Sequence, residues 1–186
     1  YDFTQGKEYV AKLTLTTSLG KKMYYYTRIK YYLDTTNIAE KMDFIRTFHE
    51  NSLSEEKNGK GIVEYLEPDS SMKNNTLAKV NIHSSLSQVT WGNLLVEPVS
   101  KVIPQITEYN IETAAVVYQY YAKADAGSGK EELYKVREAY RVRFTSDQIY
   151  LLDYERTMEA QFDINLVSIL KSEFKVGISN EEAIDI

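Results

Sequence analysis

The run Thr113 to Ala124, TAAVVYQYYAKA, and the run Leu133 to Thr145, LYKVREAYRVRFT, are joined by Asp125-Ala126-Gly127-Ser128-Gly129-Lys130. Two long alternating runs around a short Gly-rich polar loop predict a β-hairpin. In the second run Tyr134, Val136, Tyr140, Val142 and Phe144 share one face, interrupted only by Glu138, while Lys135, Arg137, Ala139, Arg141 and Arg143 line the other. Ser146-Asp147 then turns the chain into Ile149–Tyr154, which makes three consecutive antiparallel strands. Upstream, Leu94–Thr107 is apolar-rich but carries Pro98 and Pro104. Proline has no N–H for a ladder, so this segment is expected at an edge, a bulge or a break. Tyr109-Asn110-Ile111-Glu112 reads as the turn that leads into Thr113.

Outward from this centre, residues 8–17 alternate, with Tyr9, Ala11, Leu13 and Leu15 on one face and Lys12, Thr14 and Thr16 on the other. After the turn Ser18-Leu19-Gly20-Lys21-Lys22, residues 23–33 alternate again, and their aromatic and β-branched content favours a strand over the helix that Tyr25, Ile29 and Leu33 would also fit. Asn37 followed by Glu40 resembles a capping box. Ile38, Met42, Ile45 and Phe48 then recur at helical spacing, so a helix with one buried face is expected to end near Asn51. Ile62–Leu66 fits a short strand or a helical turn, Leu77–His83 a strand, and residues 160–176 either a strand or a helix.

The predicted fold class is α+β: a curved antiparallel sheet of about five or six strands packed on one main helix, with a second short helix. The 186 residues are read as a single domain, with 1–36 as an appended hairpin and 177–186 as a tail. The chain is 43% hydrophobic and 26% charged, which is a globular composition. A net charge of −5 disfavours nucleic acid as a general partner. Cysteine is absent, which removes disulfides, thiolate metal sites and Cys nucleophiles. Many Lys, Asn, Ile and Tyr point to a bacterial source. Because the sequence opens on Tyr1 rather than Met, a processed or truncated product is expected, with a signal peptide or membrane anchor among the segments that would precede it.

Each candidate for chemistry has a competing structural reading. His49 and His83 lack HxxxH or HxH spacing, so both are expected at the surface and no metal site is predicted. Asp153 and Glu155, at i and i+2 on a strand, would share a face as a carboxylate pair of a hydrolase might, but such pairs are also common on solvated strands. Gly127-Ser128-Gly129-Lys130 falls short of a phosphate loop: Ala124 stands where the first Gly is needed and Glu131 where Ser or Thr is needed. No nucleophile elbow and no cofactor motif appear, and catalytic residues are read as none. Asn74-Asn75-Thr76 matches a glycosylation acceptor, which means little in a bacterial chain. The basic stripe Lys135, Arg137, Arg141 and Arg143, with Arg28 and Lys30 as further members, is the candidate partner site, and a solvated face balanced by carboxylates is the alternative. Tyr24, Tyr26 and Tyr32, among the 16 tyrosines, are the candidate stacking residues for a carbohydrate or peptide.

Several segments also resemble the soluble domains of the type IV secretion inner-membrane assembly-factor family of conjugation systems. They are Phe44-Ile45-Arg46-Thr47-Phe48 before Tyr65-Leu66, then Ser87-Gln88-Val89, Asn110–Val117 entering a strand, and Tyr140-Arg141-Val142. The likeness spans roughly 120 residues around one helix and successive antiparallel strands and rests on no diagnostic motif. It implies a nuclear-transport-factor-2-like fold and a non-catalytic, oligomerising, extracytoplasmic scaffold whose membrane contact runs through a segment outside this chain. The strand-like residues 8–33 depart from that family, which begins with a long helix. The expected function is therefore a non-catalytic interaction or assembly domain with a protein partner, a second copy of itself included. A Tyr-based carbohydrate or peptide module and a hydrolase with an unrecognised carboxylate site are the alternatives.

Overall fold

The computed structural model describes residues 2–161 except 33–35, 57, 72–75, 126–128, 130 and 147. Expectations for residues 160–176 beyond Gln161, for the 177–186 tail and for Asn74 and Asn75 lie outside the described residues. The chain divides into two compact units, Tyr1–Asn37 and Ile38–Ile186.

The first unit is an antiparallel hairpin of β1 (Glu8–Thr16) and β2 (Lys22–Lys30), in register from Glu8↔Lys30 to Thr16↔Lys22. Its tip is closed by Gly20 N–H donating to Thr17 O at 2.9 Å and Thr17 N–H donating to Lys21 O at 2.9 Å. Gly20 sits at φ +77°, in the left-handed region that only glycine enters freely. Strand alternation segregates the side chains. Tyr9, Ala11, Leu13, Leu15, Met23, Tyr25, Thr27 and Ile29 form one uncharged face, and Val10, Lys12, Tyr24, Tyr26 and Arg28 lie on the other.

The second unit is the predicted α+β layer. A six-stranded antiparallel sheet runs β3 (Lys79–Asn81), β8 (Gln148–Ala160), β7 (Glu131–Thr145), β6 (Thr113–Asp125), and its last edge is shared by β4 (Leu95–Pro98) and β5 (Ile103–Tyr109). β4 pairs with residues 122–125 of β6 and β5 with residues 114–119. The two prolines account for this split edge: Pro98 ends β4, and Pro104 sits in β5, which has only β6 as its neighbour. β6–β7–β8 is the predicted meander, but β8 continues six residues beyond Tyr154. The sequence pattern hid this because a bulge opposite Arg141/Val142 inserts Leu152 and changes which parity faces inward. Leu151 points in before the bulge, and Tyr154, Arg156 and Met158 point in after it.

Two helices accompany the sheet, α1 (Ile38–Ser52) and the short α2 (Leu86–Val89), and a 3-10 turn covers Val63–Tyr65. The buried stripe of α1 is Lys41, Ile45, Phe48, His49 and Ser52, rotated from the predicted Ile38-Met42-Ile45-Phe48 face. The rotation is made possible by partners for its polar members: Lys41 Nζ donates to Ile111 O at 2.8 Å and Asn110 O at 3.3 Å, at the β5–β6 turn. Burial lowers the Lys41 ammonium pKa. Asn37, at φ +47°, enters α1 from a left-handed backbone rather than the extended one usual for an N-cap. A capping box is formed by Ser85 and Gln88, at the start of α2.

Phe48 anchors the core. Its ring meets Tyr154 at 5.1 Å and Tyr140 at 5.8 Å between centroids, and it is fully buried with Ile45, Ile62, Val80, Val89, Val116, Val136 and Val142. Truncating such a phenylalanine typically costs about 3–5 kcal/mol.

Candidate functional site

Glu138 lies on the inward face of β7 and is fully buried. Three donors converge on its carboxylate. His49 Nδ1 lies 2.7 Å from Oε2, the Tyr140 hydroxyl donates to Oε2 at 2.6 Å, and the Tyr120 hydroxyl donates to Oε1 at 2.8 Å. Burial alone would push the Glu138 carboxyl up, but the hydrogen bond and charge of His49, the Tyr140 hydroxyl and the Arg156 charge outweigh it and hold the pKa below the ordinary carboxylate value. Burial and the Glu138 charge together drive the phenols of Tyr120 and Tyr140 upward, so both remain donors. His49 is gripped edge-on by the rings of Tyr118 and Tyr120 at 5.2 and 5.4 Å. The expectation of a surface histidine is thus corrected for His49: it lies on the helix face turned to the sheet, where a buried carboxylate makes its burial tolerable.

Arg156 forms the other half of the cluster. Its guanidinium donates Nη1 to Val89 O at 2.7 Å and Nη2 to Gln88 O at 2.8 Å, and its carbon lies 3.4 Å from the centroid of the Trp91 ring. It therefore receives the C-terminal carbonyls of α2, where a cation is favoured. Trp91 holds φ +69° and Gly92 φ +54°, a left-handed exit from α2 that Gly92 N–H closes on Ser87 O at 2.7 Å. Glycine is the usual occupant of the first such position. Tryptophan there covers the guanidinium, while its indole N–H and Arg156 Nε are buried with no hydrogen-bond partner among the described residues.

Chemically, this cluster is a clasp. His49 ties α1 to β7, Arg156 ties α2 to β8, and the tyrosines of β6 and β7 fill the remaining acceptor sites. A carboxylate enclosed by three donors and fully buried has no open position for a substrate atom. The only sequence signal for it was Glu138 itself, a charge in an otherwise apolar alternation; nothing in the pattern pointed to His49 or Arg156.

The other candidate residues lie elsewhere. Lys135, Arg137, Arg141 and Arg143 do share the outer face of β7, between acidic neighbours: Arg141 pairs with Glu108 at 3.2 Å, and Lys135, Ala139 and Arg141 stand opposite Glu159, Glu155 and Asp153 of β8. Arg143 lies over the Tyr150 ring at 5.2 Å. Asp153 and Glu155 share that outer face, and Glu155 pairs with Lys79 at 2.9 Å. His83 is partly exposed, with its Nδ1 3.0 Å from Glu67 O. Tyr24 and Tyr26 are exposed alternate residues of β2, with Lys12 Nζ 4.1 Å from the Tyr24 ring centroid, whereas Tyr32 follows the strand, with Lys30 at 5.4 Å. Gly129 has φ +71°, a turn conformation, and the other tip residues of the β6–β7 loop from 126 to 130 lie outside the described ones.

One open cavity of about 470 Å³ is lined by Glu40 and Phe44 of α1, Glu64 and Tyr65 of the 3-10 turn, and Phe144, Gln148 and Ile149. Phe44 and Tyr65 meet edge-to-face at 4.7 Å. Burial, and then the Glu64 charge, raises the Tyr65 phenol. No group of three or more potential metal-ligating residues occurs among the described residues, and no helix there is long and apolar enough to cross a membrane. No protein-family description, curated relative or solved structure matches this chain.

Proposed function

We propose that this chain is a non-catalytic interaction domain of an extracytoplasmic, membrane-associated protein assembly. One observation carries the reading: the β1–β2 hairpin leaves apolar and aromatic side chains open to solvent on both faces. Val10 is 71% exposed, Tyr26 65%, Leu13 58% and Tyr25 53%. Two-stranded hairpins are marginally stable in water, and contiguous exposed apolar surface of this kind marks an interaction site. The ionisable groups buried in the other unit are, by contrast, consumed by internal contacts. The resemblance to the type IV secretion assembly-factor family supports the extracytoplasmic scaffold reading, although β1 and β2 stand where that family begins with a long helix. A peptide or carbohydrate ligand stacked on Tyr24 and Tyr26 is the second reading, favoured by their exposure beside Lys12.

A photoreactive residue placed at Leu13 or Tyr25 of the full-length protein in cells tests the proposal. Discrete protein adducts from these positions, absent from a control position at Glu50, are expected. A hairpin that yields no protein adduct at any position refutes it.

A further inference from the structure

We infer that the tip of the β1–β2 hairpin docks into the cavity between α1 and the 3-10 turn of a second copy of this chain, Leu19 entering its aromatic floor and Lys21 and Lys22 meeting Glu40 and Glu64. The inference rests on the interaction-domain reading above and names its partner.

Three observations converge. The first is the tip itself. Leu19 is 94% exposed, more than any other large hydrophobic side chain among the described residues. The turn that presents it is held by the Gly20-to-Thr17 and Thr17-to-Lys21 backbone bonds and by Lys21 N–H donating to Thr17 Oγ1 at 3.1 Å. A preorganised tip loses little conformational freedom on docking.

The second is the cavity. Phe44, Tyr65, Phe144 and Ile149 supply apolar surface, and Glu40 and Glu64 supply negative charge with no ion pair to any described residue. An apolar pocket flanked by carboxylates suits an aliphatic side chain flanked by ammonium groups.

The third is the distribution of charge. Residues 1–37 carry Lys7, Lys12, Lys21, Lys22, Arg28 and Lys30 against Asp2, Glu8 and Asp34, a net +3. The whole chain is −5, so residues 38–186 carry −8. A cationic hairpin and an anionic body favour hairpin-to-body contact between copies over hairpin-to-hairpin contact, which would oppose like charges. Exchanged reciprocally, such contacts close a two-fold dimer; propagated from copy to copy they build larger rings or linear arrays.

A charge-swap mixing experiment decides the matter. Sedimentation velocity on the wild-type chain is expected to show self-association between about 1 μM and 1 mM, weakening as salt rises. Lys21→Glu with Lys22→Glu gives an acidic tip beside an acidic cavity, and Glu40→Lys with Glu64→Lys gives a basic tip beside a basic cavity. Each double variant alone is expected to associate at least about tenfold more weakly than the parent. Mixed in equal amounts they regain association, because each tip then finds a cavity of opposite sign in the other variant. Leu19→Ser, a tip change that leaves all charges in place, is expected to weaken association as well, and circular dichroism confirms that every variant folds. A monomeric wild type, variants that associate like the parent, or a mixture that stays monomeric overturns the inference. If the hairpin crosslinks to a different protein while the wild type remains monomeric, this inference falls and the interaction-domain reading stands.

Discussion

Replacing Glu138 by alanine would remove the common acceptor of His49, Tyr120 and Tyr140. Each buried donor left without a partner costs about 1–3 kcal/mol, so the three together bound the loss at roughly 3–9 kcal/mol. Water entering the space vacated by the side chain re-satisfies some of them, which places the expected loss near the lower part of that range, about 4 kcal/mol. Against a total stability of about 5–15 kcal/mol this is a large fraction. Urea denaturation followed by circular dichroism should show a midpoint lowered by roughly 2 M with the slope unchanged, if the slope is near 2 kcal/mol per M. The reasoning makes a second, stricter demand. If the cost comes from orphaned partners rather than from lost volume, then Glu138→Leu combined with His49→Leu should cost less than the sum of the two single changes, with a coupling of at least about 1.5 kcal/mol. Adding Tyr120→Phe and Tyr140→Phe should recover more, since an apolar core of similar volume needs no acceptor. A Glu138→Ala variant within about 1 kcal/mol of the parent, or strict additivity of the leucine pair, would refute the account of the clasp.

Three further outcomes follow from the same structure. Because the folded-state pKa of Glu138 is depressed below its ordinary 4.5, its own contribution is present above that pH and is lost as pH falls through the folded value; the stability gap between the parent and Glu138→Gln, measured by urea titration, should therefore narrow as the pH falls below about 4.5. Arg156→Lys keeps the charge but loses the planar fork on the Gln88 and Val89 carbonyls and the stacking on Trp91, so it should lower stability by about 2 kcal/mol, read as a fall of roughly 4–8 °C in Tm at about 2–4 °C per kcal/mol for a domain of this size. Gly59→Ala would place a Cβ 2.5 Å from Leu86 Cδ2 at φ +68°, whereas at Gly129, φ +71°, nothing among the described residues lies within 4 Å; calorimetry should show a loss of about 1–3 kcal/mol for the first and no more than about 1 kcal/mol for the second.

The extent to which the fold could be read in advance follows from periodicity. Strand pairs with a two-residue alternation and a Gly-containing turn, such as Tyr9–Ile29 and Thr113–Thr145, carry their structure locally, because each side chain's face is decided by its parity. The split edge of Leu94–Thr107 was legible for a similar reason, since Pro98 and Pro104 remove ladder donors wherever they stand. The reading weakened where the ladder itself intervened. The bulge at Leu152 shifted the inward parity of β8, so Arg156 became a core residue in a segment whose pattern gave no reason to extend the strand.

Composition and alternation alone determined that this chain is α+β, that it has a basic stripe on one strand face, and that it lacks thiol chemistry, because these are properties of single segments or of counts. Only the tertiary structure decided what the charges do. Glu138, His49 and Arg156 lie on β7, α1 and β8, and their pairing or stacking partners are 18 to 89 residues away apart from Tyr140. A charge in an apolar alternation signals that some partner exists, but burial energy and hydrogen-bond geometry select which one, and both are settled only when distant elements pack. The cavity flanked by Glu40 and Glu64 is of the same kind: it joins one helix face, a 3-10 turn and the ends of two strands, and no stretch of sequence contains it.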